Sequence, residues 1–175
     1  KLSMKFIIYR YLVGVLSLVF FMSQIVYARP AIISISSQLE NFQQSGDFVL
    51  LGAVYQRCSG LHLFASVKAE QSGLTDQREY GEAVSRFYAK QALDNQHSIN
   101  SQLGLNPVAE PYAEREQGML RDIILPISLM YDEMANENYI RTGSHFVGVL
   151  GEDLDSCETL LQTLVPAPGG NADTQ

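Results

Sequence analysis

Two cysteines, Cys58 and Cys157, are the residues whose chemistry is most readily read from this sequence. With only two, a single intramolecular pairing exists. The rival use, thiolates holding a metal, lacks a second Cys or His at the ligand spacing of a structural zinc site. His62 lies one helical turn beyond Cys58, where it could activate a thiol, act as a ligand, or donate to a neighbouring carbonyl. A Cys58 tied in a disulfide has no thiolate to activate, so the structural role is the reading for His62.

Other chemistry-bearing residues are weaker. Ser144 and His145 suggest a nucleophile and a base, but adjacent side chains rarely face each other and no third group orients them. Asp94-x-x-His97 is a single acid–histidine pair, whereas a two-iron bundle needs two, so it reads as a solvated surface pair. The cluster Glu152, Asp153, Asp155 and Glu158 lacks the central glycine and final glutamate of a calcium loop. Negative charge favoured at a helix N-terminus explains it instead. The phosphate-cradling GxxxxGK and GxGxxG, the hydrolase GxSxG, the zinc-protease HExxH and the haem-attaching CxxCH are all absent. No catalytic residue, metal site or cofactor is therefore assigned, and the chain reads as non-enzymatic.

The elements that must position these residues follow a helical period. Leu51, Val54, Cys58, Leu61 and Ala65 fall on one arc at 100° per residue, with Leu50, Tyr55 and His62 at its flanks. Leu63, Phe64 and Val67 lie on the opposite side, so Asp47 to Gln71 is expected to be a central helix buried by several neighbours. Asp47 suits its N-cap and Gly73 its left-handed exit. Leu150, Leu154, Cys157, Leu161 and Leu164 recur at spacings of 4, 3, 4 and 3, a seam that turns Cys157 toward a partner helix. A Cys58–Cys157 disulfide is the expectation. It would close a loop of about 100 residues and contribute on the order of 4.7 kcal/mol in the chain-entropy model.

Between these two helices a third is expected from Thr75 or Asp76 to Leu103, with Tyr80, Val84, Phe87 and Tyr88 as an aromatic core stripe. A fourth extends from Pro111 to about Asn138, with Leu120, Ile123, Ile124, Ile127, Met130, Tyr131 and Met134 on its apolar face. Pro126 should kink or split it. A short helix within 31–42 precedes them all. The fold class is thus all-α: a bundle of four main helices plus a short N-terminal one, stapled by Cys58–Cys157. A space opened at the Pro126 kink and lined by Tyr55, His62, Tyr88 and Met130 is the candidate small-ligand site.

Compartment and partners follow from the ends and the charge. Lys5 and Arg10 precede an apolar run from Tyr11 that exits through Val26-Tyr27-Ala28, the pattern of a signal peptide cleaved after Ala28. Residues 1–28 are read as a leader, 29–167 as one helical domain and 168–175, rich in Gly and polar residues, as a disordered tail. The alternative is an inner-membrane anchor formed by an uncleaved Tyr11–Ala28. Export to an oxidising compartment, the periplasm of a Gram-negative bacterium or the exterior, agrees with the disulfide.

Losing Lys1, Lys5 and Arg10 takes the 12 basic residues to 9 against 19 acidic ones. So acidic a chain excludes nucleic acid and anionic membrane surfaces as main partners, and with the leader gone it would not insert stably in a membrane. Three functions fit: a non-enzymatic interaction or structural protein with a protein partner, a bundle that binds a small ligand or metal, and a stress- or acid-responsive chaperone.

Overall fold

The computed structural model describes residues 32–105 and 111–165; the leader, the boundary at Ala28 and the C-terminal tail lie outside them. The described residues from Ile33 onward belong to one compact unit. They form α1 (Ile35–Ser45), α2 (Phe48–Gln71), α3 (Thr75–Gln102), α4 (Tyr112–Met119), a π-helical turn (Leu120–Ile124), α5 (Leu125–Thr142) and α6 (Val149–Leu164). As α4, the π turn and α5 follow without interruption, the architecture is the expected four main helices and a short N-terminal one. Among the described residues there is no strand.

The caps show why the helices begin and end where they do. Ser34 accepts the Ser37 N–H at 3.4 Å and starts α1 several residues later than the sequence pattern suggests. The Asp47 carboxylate accepts the Val49 N–H at 2.8 Å and starts α2 as expected. Gly73, at φ 70°, turns the chain from α2 into α3 in a conformation that costs a residue with a Cβ. Neither Thr75 nor Asp76 caps α3, whose N-cap is Leu74 without a side-chain hydrogen bond.

α2 is the central helix, packed against α1, α3, α5, α6 and the π turn. Val54, Cys58 and Leu61 are fully buried on its expected face, and Phe64 is buried as well. Gly60 brings α2 close to α5: a Cβ there would stand 2.4 Å from the Ile127 side chain and 3.2 Å from the Ile124 carbonyl oxygen. In α3, Val84 and Tyr88 are buried as the aromatic stripe required. Tyr80 is half exposed and so belongs to the rim rather than the core.

Pro126 acts one turn upstream of its own position. Lacking an N–H, it cannot bond the carbonyl of Asp122, and the backbone there widens so that the Leu125 N–H donates to the carbonyl of Leu120, five residues back. The helix neither stops nor splits, and it runs beyond Asn138 to Thr142, where Gly143 at φ 76° ends it. The extra residue rotates what precedes by about 100° relative to a regular helix. Ile124 and Tyr131 remain fully buried, whereas Ile123 is partly exposed. α6 begins at Val149, ahead of the acidic pair, and its seam residues Leu150 and Cys157 are fully buried.

Candidate functional site

Cys58 on α2 and Cys157 on α6 are bonded, with Cα atoms 5.5 Å apart and a sequence separation of 99. No described cysteine is free. Next to this staple lies a polar network that the sequence reading did not find. The Arg57 guanidinium donates to the carboxylate of Asp153 and to the carbonyl of Ile33. Its Nε and Nη2 also reach the Tyr131 hydroxyl at 3.3 Å. That hydroxyl donates to Asp153 Oδ2 at 2.6 Å, and Asp153 Oδ1 accepts the Ile35 N–H at 2.7 Å. One carboxylate thus ties the start of α1 to α2, α5 and α6.

Asp153 is fully buried, which corrects its assignment to helix-end electrostatics; Glu152 is the acidic residue in the first turn of α6. Burial, with Asp153 beside it, pushes the Tyr131 hydroxyl well above the ordinary tyrosine range, so it stays a proton donor to the carboxylate. The signal was present in the spacing. Asp153 falls three residues after Leu150 and four before Cys157, on the inward seam, where a charge needs a buried partner.

The proposed ligand lining divides. His62 is buried against a stack of rings: Tyr88 lies parallel at 6.0 Å, Tyr80 meets its edge at 6.3 Å, and Tyr55 lies 6.2 Å from Tyr88. Met130, half-buried on α5, packs against the apolar core and is not in that stack. The Tyr88 hydroxyl donates to the Cys157 carbonyl, which fastens the stack to the staple. Tyr80 donates to the Glu158 carboxylate at 3.0 Å, and His62 Nε2 faces that carboxylate at 3.8 Å without a hydrogen-bond partner among the described residues. Desolvation pulls the His62 pKa below its ordinary value, while Glu158 opposes the shift. Burial raises the Tyr55 and Tyr88 hydroxyls.

His145 stacks on Tyr139 at 4.6 Å, and its Nδ1 lies 3.2 Å from the carbonyl of Ala135. Asn138 donates to the carbonyls of His145 and Val147, so His145 holds a turn and makes no hydrogen bond to Ser144. Asp94 and His97 are on the exposed side of α3. No group of three His, Cys, Asp or Glu side chains able to hold a metal exists among the described residues.

Two open grooves flank the π turn. One, of about 510 Å³, runs between α2, α3 and the turn, and Leu63, Leu120 and Leu125 supply its apolar wall while Arg86 and Arg121 stand beside them. The other, of about 380 Å³, is lined by His97 and Arg115 among mostly polar residues. Fold and site together define a disulfide-stapled, all-α bundle. No family model, curated protein or solved structure matches this chain.

Proposed function

We propose that this chain is an exported, non-enzymatic binding protein, a stapled helical scaffold that holds a fixed surface toward a partner. The observation that carries the reading is the use made of its reactive groups. Cys58 and Cys157 join α2 to α6, and beside them Asp153 and Arg57 join the same two helices again. Both cysteines and the buried Asp153 are engaged in holding helices together. A disulfide inside the core suits an oxidising compartment. Outside, α5 leaves Leu129 and Ile140 57% and 86% exposed, and these two side chains are where we place the partner contact.

Cell fractionation with thiol labelling tests the compartment. The expected result is a chain beginning at Arg29 in the envelope or the medium, with no thiol accessible before reduction. A full-length cytoplasmic chain with two free thiols would overturn the reading. Photo-crosslinkers placed at Leu129 and Ile140 should trap a reproducible protein partner, and their failure to trap one would count against an interaction role.

A further inference from the structure

The basic side chains of the described residues divide into two sets. Arg57, Lys68, Arg78 and Arg121 each meet a carboxylate, and Arg141 meets the Asn138 side-chain oxygen. Arg86, Lys90 and Arg115 form no ion pair with any described residue. In so acidic a chain this leftover positive charge is not spread evenly. Arg86 and Lys90 are one turn apart on α3, and Arg86 and Arg115 line the two grooves along which α4 and the π turn approach α3. The Arg115 Nε is buried without a hydrogen-bond acceptor.

The larger groove combines this charge with an apolar wall. Leu63, Leu120 and Leu125 line it together with Arg86, which meets no acceptor among the described residues, and Glu82, whose carboxylate is held by Arg78 at 3.2 Å. Arg121 is turned onto its sequence neighbour Asp122 at 2.6 Å in an exposed pair, which solvent weakens enough for the guanidinium to exchange partners. The wider backbone of the π turn, a feature frequent at functional sites, presents both Leu120 and Arg121. A volume of about 510 Å³ falls within the 300–1,000 Å³ typical of small-molecule pockets.

We propose that this groove binds an amphipathic carboxylate, its alkyl chain against Leu63, Leu120 and Leu125 and its head group between Arg86 and Arg121. An arginine fork matches a carboxylate in two parallel hydrogen bonds, and the leucines take alkyl chain out of water.

Titration of the full chain with monomeric dodecanoate, followed by calorimetry and by amide NMR shifts, tests it. One saturable site is expected, with shifts at Leu63, Leu120 and Leu125. Dodecanol, which lacks the charge, should bind at least about tenfold more weakly, and acetate not measurably. Arg86→Gln and Arg121→Gln are both exposed changes and should each weaken binding about tenfold, while Arg141→Gln, away from the groove, leaves it unchanged. Anionic phospholipid vesicles distinguish a free carboxylate from a membrane surface. Absence of saturable binding, equal affinity for dodecanol, an unaffected Arg86→Gln variant, or recruitment to vesicles without binding of monomeric dodecanoate would each overturn the proposal.

Discussion

The Tyr131 hydroxyl donates to Asp153 Oδ2 at 2.6 Å in the core, and the same carboxylate oxygen accepts from Arg57. A fully buried carboxylate is tolerated because every oxygen has a donor: Arg57 and Tyr131 on one, the Ile35 N–H on the other. For these groups to meet, three helices and the entry to α1 must be in register.

Removing one member of this pair leaves the other buried and uncompensated. Asp153→Ala is expected to destabilise the protein by about 3–5 kcal/mol, and Tyr131→Phe by about 1 kcal/mol. Replacing both charges, Arg57→Met with Asp153→Leu, should cost much less than the sum of the single changes. Urea unfolding of Asp153→Ala, Tyr131→Phe, Arg57→Met, Asp153→Leu and the double variant checks this, and additive losses would show that the pair is not coupled.

The disulfide spans 99 residues of sequence, so its loss acts mainly on the unfolded chain. Cys58→Ser with Cys157→Ser is expected to lower stability by about 4–5 kcal/mol, on the loop-entropy estimate for this length. The native helix content should survive, because Asp153 and Arg57 still join α6 to α2. Denaturant titration beside far-ultraviolet circular dichroism measures both quantities. A loss below about 1 kcal/mol would mean that the bond constrains little.

The seam around Cys157 was legible because spacings of 4 and 3 place five side chains on one stripe whatever the partner helix is. Asp47 and Gly73 were legible because capping is local chemistry. Asp153 was legible only as a charge on the inward seam, and its pairing with Arg57 was not, since the two are 96 residues apart. Tyr80 was placed in the core by its period, yet the buried large side chains of α3 begin one turn later, at Val84, and leave that ring to reach Glu158. Of the four proposed ligand residues, three are in one ring stack and Met130 is not, because the period assigns a face without saying which helix lies opposite. Pro126 signalled a change in the helix, but the grooves beside the π turn are lined by other residues than the four expected at the kink.

Close approach of α2 and α5 depends on Gly60. A Cβ there would meet the Ile127 side chain at 2.4 and 2.7 Å, distances that only movement can relieve. Gly60→Ala is expected to cost about 1–3 kcal/mol through overpacking, despite the better helix propensity of alanine. Ile127→Ala opens the space, so the double variant should recover part of that loss relative to Ile127→Ala alone. A double-mutant cycle in urea gives the coupling, and zero coupling would place the strain elsewhere.

Acid stability should depend on His62. Burial lowers its pKa in the folded protein, against the opposing pull of Glu158, while the unfolded chain titrates near the ordinary value of about 6.5. The folded state therefore resists protonation that the unfolded state accepts. The stability tied to neutral His62 is complete above about pH 6.5 and is lost as the pH falls from there through the depressed folded value. His62→Leu should flatten the stability profile below about pH 6.5 without acting above it. Glu158→Gln removes the carboxylate that favours the charged ring and should depress the His62 pKa further, steepening that limb. Tyr80 and Tyr88, which also face the ring, carry no charge in this range, so NMR titration of His62 reports the balance of burial and Glu158. A His62 that titrates at or above 6.5 would reverse the sign of the effect.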